Sequence, residues 1–133
     1  MLDDIPKVFP ALVRAEKLGR RASNVGFDWP NAAGALEKVR EELIEVEEAT
    51  VEAEQDAKGA SVGIEEEIGD LLFAIANLAR HMGLSPEVAL RRASEKFERR
   101  FRAIESRIES GEASDLEQMD GLWNEVKSLE RDP

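Results

Sequence analysis

Two short acidic motifs contain the residues of this chain that are best placed to do chemistry. They are Glu41-Glu42-Leu43-Ile44-Glu45 and Glu67-Ile68-Gly69-Asp70. Each motif lies in a segment of strongly helical character, where residues three positions apart share one face. Glu42 therefore pairs with Glu45 on one helix. Glu67 pairs with Asp70 on the other helix, so four carboxylates converge if the two helices pack together.

Four converging carboxylates need a compensating cation, because like charges a few ångströms apart repel and shift each other's pKa. Mg²⁺ takes oxygen ligands in octahedral geometry, usually a few carboxylates with water and substrate phosphates completing the shell. The motifs therefore indicate metal-assisted phosphate chemistry. The alternative is a pair of solvated acidic faces. The first motif lies beside a strip of alanines and the second borders an apolar run, and both settings favour the metal site.

Length and composition bound the remaining possibilities. The 133 residues predict one domain, residues 1–133, which is small for an all-helical enzyme, so we expect an oligomer. The absence of cysteine excludes disulfides, zinc–thiolate sites and thiol catalysis. A formal net charge of −11 argues against general binding to nucleic acid or to an anionic membrane. No apolar run is long enough for a signal peptide or a membrane span, so we expect a soluble, cytoplasmic protein.

Helical periodicity dominates the chain, and no alternating strand pattern longer than a few residues appears. The sequence therefore predicts an all-α helical bundle of about five helices. Their predicted extents are about Val8 to Ser23, Ala32 to Ala57, Ile64 to Met82, Pro86 to Ser110, and a last helix that starts at the capping box Ser114-Asp115-Leu116-Glu117. Lys58 to Gly63 are predicted to form a loop. Gly83 is expected to end the third helix, and Ser85 to cap the fourth.

The second helix has an apolar stripe that is typical of a bundle seam. The stripe consists of Leu36, Val39, Leu43, Val46, Thr50 and Ala53. Glu42 lies in line with Ala35 and Ala49, seven positions away on either side. These small neighbours leave room around its carboxylate.

The third helix is apolar almost all round from Leu71 to Ala79, which predicts the most buried element. Asn77 is the only polar residue in that run, and it shares a polar stripe with Glu67, Asp70, Ala74 and His81. A buried polar group without a hydrogen bond costs about 1 to 3 kcal/mol. We therefore expect Asn77 to have a polar partner or to bind substrate.

The fourth helix has a basic side on an acidic protein. Its apolar seam consists of Leu90, Ala93, Phe97, Phe101, Ile104 and Ile108. The opposite side carries six arginines and lysines against two glutamates, and part of this charge fits ordinary pairing along the helix. Arg92, Lys96 and Arg100 form a column that has no acidic partner four residues away. This column favours anion binding.

The single histidine and the two tryptophans are less informative. His81, near a helix C-terminus, fits a cap or a dipole partner better than a catalyst. A carboxylate-bridged di-iron bundle is excluded, because it needs Glu-x-x-His pairs on two helices and Leu78 stands three positions before His81. Trp123 has a seam spacing that fits core packing or base stacking, and Trp29, in a turn, is equally ambiguous.

The acidic motifs resemble those of the all-α nucleoside triphosphate pyrophosphohydrolases. Their sequence is most similar to that of the MazG family. Further stretches carry the resemblance: Pro10-Ala11-Leu12, Asn24 to Trp29, Gly69 to Ala74, Asn77 to His81 and Lys96 to Phe101. The resemblance covers nearly the whole chain. The quoted stretches look like the C-terminal half of a two-domain MazG. A typical bacterial MazG carries a second, related domain ahead of this one, and this chain starts where the C-terminal half begins.

The resemblance implies Mg²⁺-dependent hydrolysis of nucleoside triphosphates to the monophosphate and pyrophosphate, with Mn²⁺ as another possible metal. The implied metal ligands are Glu42, Glu45, Glu67 and Asp70. Glu41 and Glu42 are the catalytic candidates, and Glu41 would assist a further metal or activate the attacking water. The substrate-binding candidates are Lys96 and Arg100 at the phosphates, Trp123 near the nucleotide, and Asn77. Bound metals and cationic side chains both offset the charge of a triphosphate, which agrees with these roles.

Members of the family assemble as dimers or dimers of dimers, so we expect a homodimer or a dimer of dimers. Two alternatives stay open. Within the superfamily, the substrate could be narrower, such as dUTP, dCTP or phosphoribosyl-ATP. From a different class, the chain could be a non-catalytic helical interaction module whose acidic clusters are surface charge. Base preference depends on the shape of the pocket, which the sequence does not define.

Overall fold

The structure is a computed structural model that describes residues 1–55 and 60–131. Its five helices are α1 (Ala11–Ser23), α2 (Ala32–Gln55), α3 (Ala60–His81), α4 (Pro86–Glu109) and α5 (Leu116–Arg131). No strand occurs within the two described ranges. The prediction of an all-α fold with five helices is confirmed.

The chain divides into two compact units, Met1–Ala89 and Leu90–Pro133. In the first unit, α3 packs against both α1 and α2. In the second unit, Ile104 of α4, Ala113 of the following turn and Leu122 of α5 form a small buried core. The single domain expected from the sequence stays a prediction.

Two predicted helix starts are wrong. α1 begins at Ala11 because Pro10, with a ψ of 142°, is not helical and disfavours helical backbone in the residue before it. Val8, predicted as an apolar helix position, is consequently 91% exposed. α3 begins at Ala60, so the predicted loop residues from Ala60 to Gly63 are helical. Relative to alanine, each of these residues costs the helix only about 1 kcal/mol or less. The predicted end of α2 at Ala57 and the rest of the predicted loop lie outside the described residues.

The predicted ends of the helices around residue 84 are confirmed. Gly83 has a φ of +71°, which suits glycine. The next amide, that of Leu84, closes the end of α3 by donating to the carbonyl oxygen of Ala79 at 2.8 Å. Ser85 caps α4, since its Oγ accepts a hydrogen bond from the amide of Val88 at 3.2 Å.

The cap of α5 differs from the predicted box by one residue. Asp115, not Ser114, accepts the hydrogen bond from the amide three positions later, that of Gln118, at 2.8 Å. The side chain of Gln118 accepts in return from the amide of Ser114 at 2.9 Å. Serine and aspartate are equally good caps, so the local pattern fits both registers.

The apolar seams are only partly covered within one chain. On α2, Val39 and Val46 are half-buried, whereas Leu36 and Leu43 are exposed. α3 buries Ala74 and Ala76, yet it also has exposed large side chains. The exposed large apolar residues of these two helices are Leu36, Leu43, Ile44, Val51, Ile68, Leu72, Phe73 and Ile75. On α4, Phe97 and Phe101 are likewise exposed.

No helix within the described ranges is long and apolar enough to cross a membrane.

Gly19 allows α1 to approach α3 closely. A Cβ atom at this position would lie 3.1 Å from Oδ1 of Asn77 and 3.3 Å from Nε of Arg80. Both neighbours are held by hydrogen bonds, and the Arg80 side chain is only 8% exposed. Gly121 of α5 is also helical, but a Cβ there would meet nothing within 4 Å.

We expect Gly19→Ala to lower the free energy of unfolding by about 1 kcal/mol, because overpacking costs about 1 to 3 kcal/mol and the gain in helix propensity is about 1 kcal/mol. The matched control, Gly121→Ala, should raise it by up to about 1 kcal/mol. Urea denaturation measures both. Equal stabilisation by the two substitutions would contradict a close contact at Gly19.

Candidate functional site

Three of the predicted metal ligands meet between α2 and α3. One carboxylate oxygen from each of Glu42, Glu67 and Asp70 lies within 4.8 Å of the other two. The side chain of Glu42 is only 12% exposed because α3 packs against α2. Glu67 is half-buried and Asp70 is exposed. The packing of the two helices therefore brings together carboxylates that are distant in the sequence.

Glu45 and Glu41 lie outside this group of three, and both are exposed. The charge of Glu45 nevertheless acts on Glu67, since it is one of the causes that raise the pKa of Glu67. Glu41 accepts a hydrogen bond from Nζ of Lys38 at 3.4 Å.

The pKa of Glu67 lies above its ordinary value. Partial burial is the largest cause, and the negative charges of Glu45, Asp70 and Glu42 follow. The ionised group is therefore under repulsion near neutral pH. A set of carboxylate oxygens this close together fits a hard divalent cation such as Mg²⁺ or Mn²⁺, because such ions prefer oxygen ligands and their charge relieves the repulsion.

Lys38 belongs to this site, and the sequence analysis missed it. Its Nζ lies 2.9 Å from Oε1 of Glu42. This hydrogen bond is the largest cause that raises the pKa of Lys38. The available signal was its position four residues before Glu42 on one helix, which places the two side chains side by side. Lys38 offsets part of the negative charge of the group.

A pocket of about 840 Å³ opens beside the carboxylates. Glu42, Asp70 and Lys38 form part of its lining. Most of its apolar lining comes from Leu18, Ala22, Phe27, Trp29, Phe73 and Ala74. The volume is within the usual range for small-molecule sites, roughly 300 to 1,000 Å³. The lining suits a ligand that has one strongly anionic part and one apolar, planar part.

Arg80 and His81 of α3 share a partner in the turn before α2, which is Asp28. Oδ1 of Asp28 accepts hydrogen bonds from Nη2 of Arg80 at 2.6 Å and from the amide of Trp29 at 2.8 Å. Nε2 of His81 lies 2.8 Å from the same oxygen. Burial, the largest single influence, raises the pKa of Asp28, but the hydrogen bonds from Arg80 and His81 outweigh it and the pKa is lowered. His81, expected only as a helix cap or dipole partner, thus also helps to hold Asp28.

Asn77 has the polar partner that its position required. Its Oδ1 accepts from Nε of Arg80 at 3.1 Å and from Nη2 at 2.6 Å. Asn77 and Asp28 both line the pocket. Sequence reasoning did not predict the pairing of Asp28 with Arg80, because the two residues are 52 positions apart and no helical spacing relates them.

The other predicted substrate-binding residues lie in the second unit. Arg100 has no acidic partner at helical spacing, as expected, but Glu130 of α5 supplies one, with Nε of Arg100 2.7 Å from its Oε2. The Arg100 guanidinium also lies over the ring of Trp123, 6.0 Å from its centroid. Trp123 is half-buried and packs 5.2 Å from the ring of Phe97. Lys96 is exposed. The structure thus brings Arg100 and Trp123 together.

Glu67→Gln tests the repulsion in the site. An acid whose pKa is raised by folding stabilises the folded state at pH values below its pKa in the unfolded state. This contribution is lost as the pH rises through its pKa in the folded state. Without metal, we therefore expect the variant to be as stable as the wild type or more stable near neutral pH. The stabilities of the wild type and the variant should converge at pH values below 4.5, the ordinary pKa of glutamate, because Glu67 is then protonated in both the folded and the unfolded state.

Mg²⁺ should stabilise the wild type and stabilise Glu67→Gln much less, because a ligand that binds only the folded state stabilises it. Thermal melts across pH, with and without Mg²⁺, measure both effects. Glu65→Gln, which neutralises an exposed carboxylate of the same helix, is the matched control and should keep the wild-type shift. Equal shifts by Mg²⁺ in the wild type and in Glu67→Gln would contradict a metal site at this residue.

Residues 32–104 match the MazG nucleotide pyrophosphohydrolase domain, and this span includes both acidic motifs. The chain is 47% identical over 135 residues to a nucleoside triphosphate pyrophosphohydrolase of Escherichia coli, covering 98% of this chain and 50% of that protein. It is 40% identical over 130 residues to the nucleoside triphosphate pyrophosphohydrolase/pyrophosphatase MazG of Thermotoga maritima, covering 95% and 48%.

The chain is also 43% identical over 135 residues to the uncharacterized protein YabN of Bacillus subtilis, covering 98% of this chain and 27% of that protein. The chain spans about half the length, or less, of the curated relatives it matches. Since the domain match covers more than half of the residues, this chain belongs to the MazG nucleotide pyrophosphohydrolase domain family.

Proposed function

We propose that this chain hydrolyses nucleoside triphosphates to the nucleoside monophosphate and pyrophosphate, with Mg²⁺ as its metal. One observation carries the proposal: the oxygens of Glu42, Glu67 and Asp70 lie within 4.8 Å of one another, and two of these residues line a pocket of about 840 Å³. The names of the relatives in Escherichia coli and Thermotoga maritima support the same activity.

The residues of the site have distinct proposed roles. Glu42, Glu67 and Asp70 hold the metal, and Glu45, one turn after Glu42, is the fourth ligand. When bound, Mg²⁺ polarises phosphoryl oxygens and lowers the pKa of water. Glu41 is the further catalytic candidate. Lys38, which lies against Glu42, adds a positive charge toward an anionic substrate.

The pocket is proposed to hold the nucleoside part of the substrate. Its apolar wall suits a base, while its carboxylate end suits a metal-bound triphosphate. Asn77 lines the pocket and is the proposed contact to the nucleoside. Lys96, Arg100 and Trp123 stay predicted contacts of the substrate. The expected lack of nucleic-acid partners and the expected cytoplasmic location also stay predictions.

A reaction with a mixed set of nucleotides and Mg²⁺ tests the activity. Breaking the bond between the α and β phosphates consumes one water and gives monophosphate and pyrophosphate in equal amounts, with no diphosphate intermediate. Chromatography of the products measures this. Release of orthophosphate and diphosphate would show that a different bond is cleaved. No turnover with Mg²⁺ or Mn²⁺ would favour a non-catalytic interaction module, and turnover of one nucleotide alone would favour a narrower substrate.

Variants separate the roles in the same reaction. Removing an outer contact to a metal ligand typically lowers activity roughly 10- to 100-fold. We expect Glu42→Ala and Asp70→Ala to lower activity more than this, because each removes a proposed metal ligand. Lys96→Ala should mainly raise KM, because it removes a phosphate contact rather than a metal ligand. Glu54→Ala, which removes an exposed carboxylate from the end of α2, is the control and should keep the wild-type activity.

We also propose that the protein is at least a dimer, as a homodimer or a dimer of dimers. Large apolar side chains on α2 and α3 stay exposed in the single chain. Leu36 and Leu43 share one face of α2 at a spacing of seven residues, and Ile68, Leu72 and Ile75 share one face of α3. Apolar surface of this extent usually marks an interface.

Leu72→Asp should therefore shift the protein toward the monomer, because it places a charge in the proposed interface. Light scattering at micromolar concentration measures the mass. Val8→Asp is the matched control, because Val8 is an apolar residue that is 91% exposed outside the helices. A wild-type monomer would contradict the proposal, as would an unchanged mass of Leu72→Asp.

A further inference from the structure

The carboxamide of Asn77 has a defined orientation in the pocket. Its oxygen faces Arg80, which offers only donors, with Nη2 at 2.6 Å and Nε at 3.1 Å. A flipped carboxamide would place its NH₂ group against these donors, so the chemistry of the pair determines which atom is oxygen. The NH₂ group of Asn77 consequently points away from Arg80.

Asp28 and Gly19 hold the Arg80–Asn77 pair in place. Oδ1 of Asp28 accepts from Nη2 of Arg80 at 2.6 Å and also contacts Nε2 of His81 at 2.8 Å. The Arg80 side chain is 8% exposed, so the Arg80 side of the pair is shielded from water. On the other side, Gly19 lets the backbone of α1 come close to both side chains. A carboxamide held in this way cannot rotate freely to suit different ligands.

The NH₂ group of Asn77 is available to a ligand. Within the described residues, Nδ2 has no hydrogen-bond acceptor, and it is not among the buried atoms that lack a partner. Because Asn77 lines the pocket, this leaves a hydrogen-bond donor facing the ligand space beside the aromatic residues Trp29 and Phe73.

The position of Asn77 along α3 indicates which part of a nucleotide it meets. Asp70, at the carboxylate end of the pocket, stands seven residues before Asn77, and seven residues of helix rise about 10 Å. Asn77 therefore lies away from the carboxylate end, one turn after Phe73 and Ala74 of the apolar lining. This part of the pocket suits the base better than the sugar.

We propose that Asn77 is a specificity-determining residue whose Nδ2 donates a hydrogen bond to a carbonyl oxygen of the base, an inference that rests on the proposed function. Hypoxanthine and uracil carry a carbonyl where adenine and cytosine carry an amino group. An amino group opposite a fixed donor leaves that donor unpaired, which costs binding. The pocket thus favours keto bases over their amino counterparts.

Matched substrate pairs test this inference, because ITP differs from ATP, and UTP from CTP, only along the base edge that carries the carbonyl or amino group. In the wild type, we expect kcat/KM to favour ITP over ATP and UTP over CTP by about tenfold, the effect of one hydrogen bond. Asn77→Asp keeps an oxygen toward Arg80 and presents an oxygen instead of NH₂ to the base, so both ratios should reverse. Asn77→Ala should bring both ratios close to one.

The ratios are informative even if the added charge of Asn77→Asp lowers turnover of every substrate. Gln55→Glu makes the same change from amide to acid at an exposed position at the end of α2, and it should keep the wild-type ratios. Calorimetric binding of IMP against AMP, and of UMP against CMP, without metal gives a second measurement that does not need turnover.

The outcomes distinguish the inference from the proposed function. Hydrolysis with the same substrate ratios in the wild type and in Asn77→Asp would overturn the role of Asn77 and leave the activity intact. No hydrolysis, together with monophosphate binding whose preference reverses in Asn77→Asp, would support the role of Asn77 and overturn the activity. No preference in either measurement would overturn the inference.

Discussion

The packing of α3 against α2 is the contact on which the rest of the site depends, because it holds like charges together. Glu42 comes from one helix, and Glu67 and Asp70 from the other, with oxygens within 4.8 Å of one another. The raised pKa of Glu67 records the resulting repulsion. Lys38 offsets part of it from one side. An arrangement that costs stability in the absence of a cation is typical of a site built to bind one.

A second polar network shapes the pocket beside these carboxylates. Arg80 is nearly buried, and a buried guanidinium needs partners on several of its nitrogens. Asp28 supplies one partner from the turn before α2, and Asn77 supplies another from the preceding turn of α3. These hydrogen bonds hold the turn before α2 against α3. They thereby also fix the position of Trp29, which lies in that turn and lines the pocket. The carboxylate end and the apolar wall of the pocket are thus supported by separate interactions on the same helix.

Local patterns predicted the five helices, the role of Gly83 and the cap at Ser85, since each depends on residues a few positions apart. The same reasoning predicted that Glu42, Glu45, Glu67 and Asp70 converge, and all of these except Glu45 lie together. It missed Lys38 although the pair with Glu42 is local, because a lysine four residues before a glutamate also fits an ordinary surface ion pair. The pairing of Asp28 with Arg80 across 52 residues could not be predicted, since no period relates two such positions. The partner of Arg100, Glu130 on α5, was out of reach for the same reason.

We propose that the carboxylates between α2 and α3 bind a divalent metal ion. Anomalous X-ray scattering from crystals of the protein grown with Mn²⁺ tests it most directly, because the ion is located independently of any activity. We expect a manganese peak bound by oxygens of Glu42, Glu67 and Asp70, at about 2 Å as expected for small octahedral cations. Manganese bound only at other exposed acidic residues, with none at these three, would contradict it.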